Sequence, residues 1–275
     1  TDADILAGNG IKTLTVDGTG TWILGGSANR FKGDVRVDAG VGTTIGLENG
    51  ALPTGATVGV AQGSTLRWES GNTAPVKLSL DAGVAAKLDL GTNDIVFTTA
   101  PAVVGTGSVT LEKQGTGAMR IADNLSAPSV NMTVSGGLLS IGEGSTLGNI
   151  TLSSGARLGG KGTVGIANVG TGAFLAPGNS PGTLYATTLV LGPGSTFDWE
   201  VQNATDQSNG FDKINLTGNL DLSGVAPGQK VTFRIISRLG AGDGNQSGNP
   251  MNFDPPGVAA QPTTFNFGVV GGLTL

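Results

Sequence analysis

The sequence predicts an all-β protein built as a parallel β-solenoid, and three observations carry that prediction. A phrase of the form Gly-x-Gly-small-apolar occurs five times: Gly18-Thr-Gly-Thr-Trp22, Gly105-Thr-Gly-Ser-Val109, Gly115-Thr-Gly-Ala-Met119, Gly160-Lys-Gly-Thr-Val164 and Gly170-Thr-Gly-Ala-Phe174. A second phrase, Gly-[Ser/Ala]-[Thr/Arg]-apolar, recurs at Gly55, Gly63, Gly144, Gly155 and Gly194. Between these phrases run short segments in which Val, Ile, Leu and Thr alternate with polar residues, and no segment sustains a helical 3.6-residue period. Glycine supplies turn backbone and the residues after it are β-formers, so each phrase reads as a tight turn launching a strand. Turn-plus-strand units repeated in this way bury their apolar faces only against their neighbours, as in a solenoid.

The elements follow in order. Residues 1–10 are polar and loose, then Lys12-Thr-Leu-Thr-Val16 alternates as a half-buried strand and Asp17-Gly18 turns it. Thr21-Trp-Ile-Leu24 forms the next strand, and after a polar loop through Asn29, Asp34-Val-Arg-Val-Asp38 alternates again. From 50 to 98 the expected strands are Ala56-Thr-Val58, Ser64-Thr-Leu-Arg-Trp68, Val76-Lys-Leu-Ser-Leu80, Ala86-Lys-Leu-Asp-Leu90 and Asp94-Ile-Val-Phe97. From 105 to 175 they are Val109-Thr-Leu111, Met119-Arg-Ile121, Val130-Asn-Met-Thr-Val134, Leu138-Leu-Ser-Ile141, Ile150-Thr-Leu152 and Thr163-Val164. With about 20–25 residues per rung, about ten rungs fit into 1–222, a rod of roughly 50 Å. We therefore expect a solenoid domain over 1–222 and an irregular C-terminal β segment, a cap or assembly element, over 223–275. Within that segment 240–262, rich in Gly, Asn and Pro, reads as a surface loop before a last strand, Thr263-Thr-Phe-Asn-Phe267.

Composition narrows the functional classes. The 275 residues include 49 Gly and 12 Pro, yet the glycines keep no three-residue period, which excludes collagen. With 38% hydrophobic and only 13% charged residues, disorder is excluded too. The net charge is −5 and the 15 Lys and Arg are scattered singly, so the basic stripe of a nucleic-acid binder is missing. No apolar stretch approaches the roughly 20 residues of a membrane-spanning helix, so no membrane insertion by this chain is expected. The chain opens on Thr1 without a charged-then-apolar leader; for an exported protein the signal would already be removed or lie outside this sequence. Cys and His are both absent. That removes disulfides, thiolate metal sites, Ser-His-Asp and Cys-His catalysis, and the commonest transition-metal ligand. Absence of Cys also suits a protein that crosses an envelope unfolded.

A family resemblance emerges from two stretches. Gly18-Thr-Gly-Thr-Trp-Ile-Leu-Gly-Gly-Ser-Ala-Asn29, with Phe31-Lys-Gly33 and Val35-Arg-Val-Asp-Ala-Gly40, resembles the autotransporter-associated β-strand repeat, and Asn49–Val58 with Gly63-Ser-Thr-Leu66 resembles its usual sequel. Leu158-Gly-Gly-Lys-Gly-Thr-Val164 leading to Leu175-Ala-Pro-Gly-Asn-Ser-Pro-Gly-Thr-Leu184 is similar to a phrase near the end of many autotransporter passengers. The resemblance covers roughly 18–70 and 135–236. It implies a right-handed parallel β-helix that is exported to, or leaves, the surface of a Gram-negative bacterium. The family's C-terminal outer-membrane barrel has no counterpart in this sequence, so the chain is expected to be a passenger fragment or a secreted protein using the same repeats.

Candidates for chemistry are few. Parallel β-helices include polysaccharide lyases and glycosidases, which set carboxylates on one face. The best local arrangement is Asp198-Trp-Glu200, two carboxylates at i and i+2 on one strand face with Trp199 opposite, against the plainer reading of a solvated face with Trp199 in the core. Asp206 and Asp212 lie in a nearby loop, and reading them as surface charges stands equally beside reading them with that pair. Asp243-Gly-Asn245 looks like a calcium turn but lacks the repeated carboxylates and terminal Glu of such loops. The corner Pro177-Gly-Asn-Ser-Pro-Gly182 is rigid by its Pro and Gly content. Trp22, Trp68 and Trp199 read as core filling or end caps. No catalytic, cofactor-binding or metal-binding residue is assigned, and no cofactor is expected.

These readings lead to a non-enzymatic extracellular or cell-surface structural solenoid that extends, displays or self-assembles. The alternatives are an adhesin passenger binding a host or matrix ligand, and a carbohydrate-active β-helix enzyme using Asp198 and Glu200. Self-association is expected end to end, between the apolar C-terminal run within 263–275 and the first strand near 11–16, because unpaired solenoid ends invite strand addition.

Overall fold

The corners fix where the strands begin. In all five Gly-[Ser/Ala]-[Thr/Arg] phrases the glycine has a positive φ, from +70° at Gly63 and Gly144 to +82° at Gly55. A side chain there would clash with its own backbone, so glycine is required. The next residue (Ala56, Ser64, Ser145, Ala156 or Ser195) is buried, and its N–H donates to the carbonyl three residues earlier. The Thr or Arg after it is the first residue of a strand in every case: Thr57–Val60, Thr65–Trp68, Thr146–Leu147, Arg157–Gly160 and Thr196–Val201. The Gly-x-Gly phrases have a further reason. A Cβ on Gly115 or Gly117 would run into the backbone of Gly91 or Asn93 in the neighbouring rung, so these rungs lie closer than any side chain allows.

In a computed structural model of the protein, residues 12–16, 18–25, 35–178, 181–203, 206, 210–237 and 263–268 are described. Among them there is no helix. Parallel strands stack into three sheets of five, thirteen and eight strands, the faces of a β-solenoid. The first face runs through Lys12–Val16, Val35–Ala39, Thr57–Val60, Lys77–Asp81 and Ala102–Val104. The second face begins at Thr21–Leu24 and ends at Leu220–Asp221. The third begins at Ile95–Phe97 and runs through Ala118–Ile121, Leu138–Ile141, Arg157–Gly160, Phe174–Pro177 and Thr196–Val201 to Lys230–Ser237. Parallel pairing therefore continues past Leu222. Among the described strands only Thr263–Gly268 reverses, lying antiparallel on Lys230–Ser237 and covering its edge.

The core is a set of inward rows running along the solenoid. On the second face one row reads Ile45, Leu66, Leu88, Lys113, Val134, Leu152, Val169 and Leu191, with register steps of 17 to 25 residues. Every member is buried. Each aliphatic side chain removed from water contributes about 2 kcal/mol before the entropy of ordering is set against it. Trp22 starts the same row but is 51% exposed, because Thr21–Leu24 is the terminal strand of its face. Trp68 is buried and meets Phe97 edge-on at 5.8 Å.

Two groups of expectations lie outside the described residues. They are the N-terminal segment 1–10 with the loop through Asn29 to Gly33, and 240–262 with Asp243-Gly-Asn245 and the run after Gly268.

Candidate functional site

The strand Thr196–Val201 carries the pair singled out from sequence, and the two carboxylates part company. Phe197 points into the core, so Asp198 and Glu200 face outward. Asp198 is nevertheless only 1% exposed, because two arginines close over it. Arg157 Nη1 donates to Asp198 Oδ2 at 2.7 Å; Arg234 donates through Nε to Oδ1 at 2.7 Å and through Nη2 to Oδ2 at 2.6 Å. Such forked bonds are the strong ones. Arg157 stands two rungs before Asp198 and Arg234 one rung after it. On the way the Arg157 guanidinium lies 5.2 Å from the Phe174 ring centre. Asp198 is thus a staple across four rungs, with its oxygens committed to guanidinium donors, and not an open acid or base. Trp199 packs inward and edge-on to Phe211 at 5.8 Å.

The reading of Asp212 as a surface charge is corrected, for its side chain is buried. Its Oδ1 accepts the Gly182 N–H at 2.9 Å and its Oδ2 that of Glu200 at 3.0 Å. Its backbone carbonyl accepts the Trp199 indole N–H at 2.6 Å. A carboxylate here ties the loop before Lys213–Leu216 to the third face. Of the rigid corner, Pro177, Gly178, Pro181 and Gly182 are described: Gly178 has φ +84° and exchanges backbone hydrogen bonds with Gly160, while Asn179 and Ser180 lie outside the described residues.

Beside this staple the outer surface of the third face is hollowed. Arg120, Ser140, Gly159 and Ala176 follow one another across four adjacent rungs in one register row. The last three carry little or no side chain, so they floor an open groove of about 340 Å³. Arg120 and Arg157 line it, as does Glu200. The nearest carboxylate to Arg120 among the described ion pairs is Asp94, at 3.9 Å.

A second feature escaped the sequence reading. Lys113 occupies an inward position in the aliphatic row, fully buried, with Nζ donating to the carbonyls of Gly136 at 2.7 Å and Gly115 at 2.9 Å. Burial pushes its pKa down to about 8 from the ordinary 10.5, against the opposing pull of Asp89 and Asp94. Asn93, also buried, donates to the carbonyls of Leu90, Glu69 and Trp68 and accepts the Gly71 N–H at 3.0 Å. Buried Asn72 donates to the Leu47 carbonyl in the same manner. The signal for Lys113 was present: alternation from Val109 and Leu111, carried two residues further, sets Lys113 on the same face.

The fold defines the class of this protein as a parallel β-solenoid. No protein-family model, no curated protein and no solved structure matches the chain. Among the described residues no group of three or more acidic side chains is placed to hold a metal ion, and no helix is long and apolar enough to cross a membrane.

Proposed function

We propose that this chain is a non-enzymatic structural solenoid of the autotransporter-passenger kind, acting outside the cell or on its surface, where it extends, displays or self-assembles. The observation that carries this reading is the pair of apolar ends. Trp22 and Ile23 are 51% and 54% exposed on the terminal strand of the second face, and Leu220 is exposed on the strand at its other end. Rungs between them repeat without a change of strand direction, so each end presents the complement of the other. A head-to-tail contact of this kind does not close and propagates into a fibre. The strand Thr263–Gly268 already lies on the edge of the third face, which favours contact through Lys213–Leu216 and Leu220–Asp221 on one copy and Thr21–Leu24 on the next. The absence of Cys suits export, and the repeat phrases at 18–70 and 135–236 resemble those of passengers.

The test is to image the purified chain and follow its size by light scattering as concentration rises. Filaments or growth are expected, with Trp22→Lys or Ile23→Lys shifting the population to single rods. A chain that stays monomeric at high concentration, with and without 263–275, removes the assembly reading. Turnover of an acidic or neutral polysaccharide, lost in Asp198→Asn or Glu200→Gln, overturns the non-enzymatic one.

A further inference from the structure

The groove on the third face has the form of a binding site, and we propose that it holds a short segment of an acidic saccharide lying along the solenoid axis. The floor sets the ligand's shape. Ser140, Gly159 and Ala176 are consecutive in one row at the interstrand spacing, so the flat strip is roughly 10 Å long from first to third residue. A chain crossing the strands at right angles cannot pair with their backbone as an added strand would, which disfavours a peptide held by β-augmentation. A pyranose ring offers a flat face to such a strip and hydroxyls to its rim.

The walls set the ligand's charge. Arg120 closes one end of the row, and Arg157 stands two residues before Gly159, on the N-terminal side of the strip. A guanidinium carries five N–H donors, and those of Arg157 not spent on Asp198 remain in a fixed plane between Asp198 and the Phe174 ring. Asp198 is here a positioning residue: it holds a donor fork in place before any ligand arrives, which lowers the entropy lost on binding. Planar forks of this kind match carboxylates. Ser140 adds a hydroxyl suited to sugar hydroxyls, and Glu200, which follows Asp198 by two residues, borders the groove on the C-terminal side. Two cations beside a hydroxyl describe a uronic-acid unit better than a neutral sugar.

Binding would be read by titration calorimetry with galacturonate oligomers of three to six units, their methyl esters, and polyglutamate of similar length. Weak but saturable binding of the free acids is expected, with at least a tenfold loss for the methyl esters and for Arg120→Gln. Ala176→Trp, which fills the strip while keeping both arginines in the sequence, should abolish it. Arg157→Lys keeps the charge but removes the fork, and should lose most of the affinity. Each variant is checked for a native far-UV spectrum at the titration temperature. Equal affinity for esters and acids, equal affinity for polyglutamate, unaltered binding by Ala176→Trp, or no heat at millimolar oligomer each overturns the proposal. Assembly is scored separately by light scattering, so failure here leaves that reading standing, and the reverse.

Discussion

Replacing Lys113 with Met should change how stability depends on pH more than it changes the fold. Met is unbranched and of similar length, so it fits the inward row between Leu88 and Val134 with little repacking. In the folded protein the ammonium loses its proton near pH 8, in the unfolded chain near 10.5. Between those values the unfolded state binds more protons, so stability rises with pH across the window. Below it both states are protonated and the full cost of burying the charge is present. The gap of about 2.5 pH units corresponds to about 3 kcal/mol. Met also leaves the carbonyls of Gly115 and Gly136 without this donor, a loss that offsets the curve but does not tilt it. Urea unfolding followed by tryptophan fluorescence from pH 6 to 10.5 measures both proteins. The difference between wild type and Lys113→Met should be flat below pH 7 and close by up to about 3 kcal/mol by pH 10.5. Parallel curves across the whole range would show that the amine is hydrated in the folded state and refute the reasoning.

Four further substitutions probe other parts of the solenoid. Asp198→Ala should cost about 2 kcal/mol, less than a fully buried pair because Arg157 and Arg234 keep about a third of their surface in water, and it should show as a lower urea midpoint with unchanged slope. Gly63→Ala, strained by φ but facing open space, should cost about 1 kcal/mol, whereas Gly117→Ala drives a methyl into the Asn93 backbone and should cost about 3 kcal/mol or more; equal costs would contradict the close-approach argument. Asn93→Ala removes one donor shared by three carbonyls and leaves the Gly71 N–H without its side-chain acceptor, so a loss of about 2 kcal/mol is expected in thermal unfolding, and a neutral effect would count against the buried amide as a rung clamp.

The fold was legible because its corners are written in glycine. Gly63-Ser-Thr-Leu66 states the turn, the buried small residue and the first strand residue in order, and all five copies of that phrase do so. Strands with weak alternation were not legible: Thr44–Leu47 carries Gly46 in its middle, and Ala102–Val104 is three residues long. The site was legible only as a local pair. Asp198 and Glu200 are neighbours in sequence, but the residues that decide what Asp198 does, Arg157 and Arg234, lie 41 and 36 positions away. Their approach follows from rung register, which single-strand patterns do not encode. The groove was invisible for the same reason, since its floor is one small residue from each of three rungs.

Register is the weakness of any repeating stack, and the buried polar groups bear on it. In the row from Ile45 to Leu191 a shift by one rung would exchange Leu for Val and lose little hydrophobic burial. The same shift would move the Lys113 ammonium away from the carbonyls of Gly115 and Gly136, and the Asn93 amide away from those of Trp68 and Glu69. An unpaired buried charge costs several kcal/mol and an unpaired amide one to three, about as much as the whole margin of stability of many domains. The aliphatic rows therefore supply most of the cohesion, while Asn72, Asn93 and Lys113 make one alignment of rungs much better than the next. The Asp198 staple does the same on the outer surface, because Arg157 reaches it only when one rung, and not none or two, lies between their strands. In that respect a charge buried at a cost to stability, as at Lys113, is consistent with a rod whose rungs must stack in one order.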